Sequence, residues 1–256
     1  MTGERRVKTI FCIFAEPDRF GNTVTRLIKT LPDMKRKLII GAILSLTTVC
    51  ASAQIAPDQD WAQFGRYAAD NEKIIEKPLA VLMGDSITDG WDGKDPDFFP
   101  ENNIICRGIS GQTSSQMLIR FRQDVIDLHP KYVVILAGTN DIACNTGYIA
   151  LEDILGNIQS MCELAKAHRI KPVLCSVTPS VQFGWRKSIT DVAGKISELN
   201  AMIKEYARKS RIPYIDYHSA LAAEDGSFPK EFSYDGVHPN LAGYKVMEPL
   251  LLRRLK

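Results

Sequence analysis

The sequence predicts an α/β protein in which a parallel sheet of five strands lies between layers of helices. Three observations carry that reading. Five short apolar runs recur along the chain, helical patterns separate them, and polar and glycine-rich residues gather where the runs end. Continuous apolar runs suit strands covered on both faces. Their alternation with helices implies right-handed crossovers between parallel neighbours.

Taken in order, Trp61, Phe64 and Ala68 suggest a short leading helix packed on the outside. Leu79 to Met83 is the first strand run and ends at Gly84. Ile104 and Ile105 begin the second, which ends near Gly108. Thr113-Ser114-Ser115-Gln116 then reads as a capping box. Leu118, Phe121, Val125 and Leu128 follow on one helical face. Tyr132 to Ala137 is the third run, ending at Gly138, and Leu151, Ile154, Leu155, Ile158 and Met161 form the next helical stripe. Val173 to Val177 is the fourth run, and Ile196, Leu199, Ile203 and Tyr206 form another stripe. Ile212 to Ile215 is the fifth run, and a last helix is expected after Asn240.

Apolar residues make up 45% of the 256 and charged residues 24%, which excludes disorder or coiled coil as the main state. The net charge of +2 hides an asymmetry. Residues 1–53 hold 9 Lys and Arg against 4 Asp and Glu, which leaves 23 against 26 for the remainder. A body with that balance offers no broad basic surface for nucleic acid. Lys35-Arg36-Lys37, the apolar stretch from Leu38 to Val49 and Ala51-Ser52-Ala53 read as a secretory signal peptide over 34–53. The apolar part is too short to span a bilayer. Cleavage is expected between Ala53 and Gln54, giving an exported chain, periplasmic or extracellular, of residues 54–256 in one domain. Residues 1–33 then precede Met34 as an unstructured upstream extension.

Cys106, Cys144, Cys162 and Cys175 remain after such cleavage. Their spacing matches no zinc pattern. Cys162 and Cys175 lie in apolar patterns and read as buried small hydrophobes. For Cys106 and Cys144, free thiols and a bridge both stay open. No Gly-x-Gly-x-x-Gly follows a strand and no phosphate-loop lysine is present, so nucleotide chemistry has no support.

The strand ends carry the candidate chemistry, as expected for an open parallel sheet. Ser86 stands at an exposed turn just past the first strand, in Gly84-Asp85-Ser86-Ile87-Thr88. Of four histidines, His129 and His168 close helices and His218 has no partner at a telling spacing. His238 has Asp235 three residues earlier, with Gly236 between and Pro239 after. A tight loop can present both side chains together, so that the carboxylate binds one ring nitrogen and the other faces a nucleophile. Asn140 follows the third strand in Gly138-Thr139-Asn140-Asp141, and its side-chain N–H would suit an oxyanion hole. Gly108 follows the second strand, where a backbone N–H could approach substrate closely.

Ser, Gly, Asn and Asp-x-x-His in this order, each past a strand or in the final loop, resemble the SGNH hydrolases, also called GDSL esterases and lipases. The resemblance covers residues 79–252. The run Arg107-Gly108-Ile109-Ser110-Gly111-Gln112-Thr113 is most similar to the branch of platelet-activating factor acetylhydrolase catalytic subunits. It implies a flavodoxin-like α/β/α sandwich and a serine esterase forming an acyl-enzyme. Ser86 would be the nucleophile, His238 the base and Asp235 its orienting acid. Ser86, Gly108 and Asn140 would line the oxyanion hole. No metal or organic cofactor is implied.

Asp89, Asp92, Asp95 and Asp97 cluster after Ser86 and read as a solvated loop rather than a calcium site, because the loop glycine is missing. Trp91, Tyr148, Phe183 and Trp185 fall in expected loops near strand ends, where they could stack on a sugar or line an acyl pocket. No long apolar lid segment is present. The expected substrate is therefore a short-chain ester, an acetyl ester of a small molecule or a glycan. A lysophospholipase or thioesterase using the same residues, and an inactive carbohydrate-binding module, are the alternatives.

Overall fold

A computed structural model describes residues 59–256. The expected signal peptide, the stretch before Met34 and the cleavage site lie outside the described residues. Among the described residues, no helix is long and apolar enough to cross a membrane.

Five strands form one parallel sheet. They are β1 (Ala80–Gly84), β2 (Ile104–Gly108), β3 (Tyr132–Leu136), β4 (Lys171–Cys175) and β5 (Tyr214–Ile215). Their order is β2-β1-β3-β4-β5, and every pairing is parallel. This is the flavodoxin-like order, whose switch point lies between β1 and β3. The fifth strand is only two residues long, shorter than the apolar run from Ile212 suggested.

Between and around the strands lie α1 (Ala68–Asn71), α2 (Ser86–Lys94), α3 (Phe98–Glu101), α4 (Ser114–Asp124) and α5 (Thr139–Ile142). They are followed by α6 (Leu151–Ala167), α7 (Val192–Ser210), α8 (Tyr217–Leu221) and α9 (Leu241–Leu252). The expected capping box is present at the start of α4, where the Gln116 side chain accepts the Thr113 N–H at 3.1 Å.

Strand residues alternate between two apolar cores. Val81, Met83, Val133 and Ile135 pack with α4, α6 and α7 through Phe121, Ile158 and Leu199. Ala80, Leu82, Val134 and Leu136 pack on the opposite face with Trp91, Phe98, Tyr244 and Met247 of α2, α3 and α9. The protein is thus a three-layer sandwich, and each fully buried large side chain contributes roughly 1.5–3 kcal/mol. Trp91 corrects the sequence expectation. It lies in α2 rather than a loop and stacks between Phe98 and Tyr244, with ring centroids 5.3 and 5.1 Å away. Asp89 and Asp92 are likewise helical rather than in a loop, because α2 starts directly at Ser86. Among the described residues, no group of acidic, His or Cys side chains is arranged to hold a metal. All four described cysteines are unpaired thiols. Cys162 and Cys175 are buried, as their apolar settings suggested.

Candidate active site

The geometry around Ser86 begins with a close approach of helix to sheet. Gly84 and Gly108 are paired neighbours at the ends of β1 and β2. A Cβ on Gly84 would sit 2.1 Å from Thr88 Oγ1, and one on Gly108 would sit 2.1 Å from the Asp89 backbone nitrogen. Only glycines let α2 settle there. Asp85 caps that helix, its Oδ1 accepting the Ile87 N–H at 2.9 Å. The N–H of Ser86 precedes it in the first turn, which has no intrahelical partners. Ser86 therefore stands at a helix N-terminus at the carboxyl end of β1.

The Asp235–His238 loop closes over it. Gly236 takes a left-handed φ of 84°, and its N–H donates to Ser233 Oγ at 2.9 Å. Asp235 Oδ1 accepts the backbone N–H groups of Val237 at 2.9 Å and His238 at 2.8 Å. That leaves Oδ2 facing His238 Nδ1 at 2.7 Å. A carboxylate there places the ring proton on Nδ1 and leaves Nε2 as the acceptor. Nε2 lies 2.9 Å from Ser86 Oγ. Burial pushes the Asp235 carboxyl up, but the bonds from His238 and Val237 outweigh it and hold the group below its ordinary value. Tyr234 and Trp185 flank the imidazole, with ring centroids 5.7 and 6.1 Å away.

The opposite wall is built from the loops after β2 and β3. Ile109 to Gln112 make a reverse turn closed by a 3.2 Å bond, with Gly111 at a φ of 81° that its position requires. Asn140 is buried at the start of α5, and its Nδ2 donates to the Gln112 carbonyl at 3.0 Å. A second contact of Nδ2, to Asp85 Oδ2, is long at 3.4 Å. Asn145 Nδ2 donates to Asn140 Oδ1 at 2.8 Å and to the Gly111 carbonyl at 3.3 Å. The Trp185 indole N–H donates to Asn145 Oδ1 at 3.0 Å. Beneath this wall the buried Arg120 ties the strand ends together. It donates to the carbonyls of Gly84 at 3.1 Å and Arg107 at 2.9 Å, and to Gln112 Oε1 at 2.5 Å.

Ser86, Asn140, Gly111, Trp185, Tyr234 and His238 line one cleft of about 410 Å³. Four of the five residues expected at the site on sequence grounds, Ser86, Asp235, His238 and Asn140, are brought together here. Gly108 is the correction. It lies under α2 and is absent from the residues that line the cleft. Gly111, three residues on, lines the cleft instead, and a Cβ there would meet nothing within 4 Å. Of the four aromatics expected near the site, only Trp185 lines the cleft; Phe183 is buried behind it and Tyr148 stands in solvent. Tyr234 and Asn145 had no sequence signal beyond adjacency to Asp235 and Asn140. A larger cleft of about 600 Å³ lies where the strands begin, lined by Lys77, Lys131, Arg169, His129 and His168. It holds no nucleophile beside a base.

Residues 82–246 match the GDSL-like lipase/acylhydrolase family. A solved structure of a candidate acylhydrolase from Bacteroides fragilis is 47% identical, with a TM-score of 0.75, covering 77% of this chain and 98% of that one. A lipoprotein from Bacillus subtilis is 32% identical over 122 residues, 40% of this chain and 49% of that protein. The acetylxylan esterase of Geobacillus stearothermophilus is 22% identical over 168 residues, 61% of this chain and 74% of that enzyme. The chain spans half or less of the length of two curated relatives it matches. With the family match covering well over half of the sequence on an SGNH-type sheet, the chain belongs to the GDSL-like lipase/acylhydrolase family, enzymes that act on ester bonds.

Proposed function

We propose that this protein is an exported serine esterase that removes short acyl groups, acetyl first among them, from carbohydrate or other small alcohol esters. The observation that carries the reading is the continuous hydrogen-bonded chain Ser86–His238–Asp235, with links of 2.9 and 2.7 Å. His238 Nε2 accepts the Ser86 proton as Oγ attacks the ester carbonyl carbon. The negative charge collects on the former carbonyl oxygen. The Ser86 N–H at the helix start and the Asn140 Nδ2–H not engaged by Gln112 are the donors for it, and Gly111 replaces Gly108 as the glycine of that hole. The tetrahedral intermediate collapses, the C–O bond to the alcohol breaks, and His238 returns its proton to the departing oxygen. Water then attacks the acyl-Ser86 ester with His238 again as base, and the acid leaves. Asp235 fixes the imidazole tautomer throughout and offsets its positive charge.

The cleft, about 410 Å³, has ample room for a short acyl chain. Its rim carries Trp185 and Tyr234, 45% and 64% exposed, as faces on which a sugar ring can stack. The acetylxylan esterase relative supports the same substrate class. The basic-apolar-small pattern of 34–53 supports export, and a lipoprotein among the relatives is compatible with it.

The test uses the full chain with p-nitrophenyl acetate, butyrate and octanoate beside the Ser86→Ala variant. Turnover that falls by roughly 10⁶ in the variant and declines with chain length is the expected result. Turnover undiminished in Ser86→Ala would overturn the reading.

A further inference from the structure

The oxyanion wall depends on which end of the Asn140 amide faces the cleft, and an amide can flip. Three groups of fixed polarity settle the matter here. The Trp185 indole N–H can only donate, so the Asn145 atom 3.0 Å away is its oxygen. The Gly111 carbonyl can only accept, so the Asn145 atom 3.3 Å from it is the amide nitrogen. That nitrogen also lies 2.8 Å from Asn140, which requires Asn140 Oδ1 at that position. Nδ2 of Asn140 then falls 3.0 Å from the Gln112 carbonyl, the second acceptor-only group. With Asn140 flipped, two oxygens would meet at Gln112 and two NH₂ groups would meet at Asn145. A flipped Asn140 would also turn its carbonyl oxygen toward the developing oxyanion and repel it.

We propose that Asn145 is a positioning residue for the acyl-transfer reaction. It locks the Asn140 amide with its N–H toward the substrate oxygen and tethers Gly111, while Trp185 sets the far end of this relay from the cleft rim. The inference rests on the esterase reading of Ser86. Trp185 is half-exposed and lines the same cleft, so a group seated against its ring bears directly on the relay. Asn145 lines the cleft too, but its amide is taken up by Asn140, Gly111 and Trp185.

The experiment compares kcat and KM on p-nitrophenyl acetate for the wild type, Asn145→Ala, Asn145→Asp, Trp185→Phe and the Asn145→Ala/Trp185→Phe double variant. Asn145→Asp keeps the shape but replaces the donor by an acceptor. It should lower kcat about 10- to 100-fold with KM changed less than about threefold, as removal of an oxyanion donor does. Its rate relative to wild type should rise as pH falls from 8 to 5, because the introduced carboxyl regains a donor when protonated. Asn145→Ala should show a loss with no such pH trend. Trp185→Phe, which keeps the ring and loses the N–H, should lower kcat about three- to tenfold in the wild type and far less in the Asn145→Ala background. A merely structural residue would give a pH-independent ratio and additive losses. If the Asn145 variants do not fold, Trp185→Phe carries the test alone through its kcat. A kcat within twofold of wild type for Asn145→Asp, or for Trp185→Phe where it stands alone, overturns the inference while the esterase stands. A wild type inert on every ester fails the esterase reading itself, and the inference with it.

Discussion

The two walls of the cleft are assembled in opposite ways. On one side Asp235 and His238 lie three residues apart in one loop. The carboxylate accepts two backbone N–H groups of that loop and still binds the ring. On the other side Gly111, Asn140, Asn145 and Trp185 come from three separate connections, which only side-chain bonds between 2.8 and 3.3 Å tie to one another, while within the connection after β3 the Asn145 backbone N–H also donates to the Asn140 carbonyl at 3.0 Å. A local device can be read from spacing, whereas a network of distant groups exists only once the chain has folded. The acid-base wall should therefore fail as a unit when one member is changed. The oxyanion wall should fail by degrees.

The sharpest test of that contrast is Asp235→Asn. The amide keeps the loop's shape, yet it can offer an N–H where His238 Nδ1 needs an acceptor. The imidazole would then carry its proton on the nitrogen facing Ser86. A fall in kcat of about 10⁴ is expected, as for a triad with the wrong tautomer. A loss below tenfold on p-nitrophenyl acetate would show that the Asp235 carboxylate does not set the tautomer.

Asn140→Ala comes next, with an expected loss of about 10²–10³ in kcat for one oxyanion donor. Some activity should survive, since the Ser86 N–H and Gly111 remain as the other proposed donors. An unchanged kcat would remove Asn140 from that role. A loss as large as that of Asp235→Asn would break the comparison, since the oxyanion wall would then also be acting as a unit.

The same contrast explains what was legible in the sequence. The strands could be read from their apolar runs, which are uninterrupted in β1 and β3 as burial on both faces demands, while β2 with Arg107 inside it and the two-residue β5 gave shorter or blurred signals. Ser86 and Asn140 stood out because they follow such runs, and Asp235 and His238 because a spacing of three puts both in one loop; their joint order, more than any one of them, carried the reading. Gly108 misled because it satisfies the same rule. It ends β2, and its missing Cβ lets α2 approach the sheet. Nothing in the order of residues separates it from Gly111; only the left-handed φ of the turn does. Trp91 was misplaced because α2 begins directly after β1, with no loop to hold it. Asn145 and Trp185 are 40 residues apart, and no local pattern joins them.

Asp85 belongs to neither wall and lies beneath both, which makes it the most delicate probe. It is fully buried, and burial pushes its carboxyl from an ordinary 3.8 up to about 7, against the bond from Ile87 and the nearby His238. In the unfolded chain the group ionises near its ordinary value. Between pH 4 and pH 7 the native state therefore holds a proton that the unfolded state has lost. Stability from this group falls as pH rises through that window, by up to about 1.4 kcal/mol per pH unit. Asp141, also raised by burial, acts in the same direction, while the lowered Asp235 acts in the opposite one. The useful quantity is thus the difference between wild type and Asp85→Asn, whose side chain can still accept the Ile87 N–H and cannot ionise. Urea unfolding at pH 4.5, 5.5 and 6.5 should show the variant gaining on the wild type at each step. Parallel curves would mean that Asp85 titrates alike in the folded and unfolded chains, and that the ground shared by the two walls is not a protonated carboxyl.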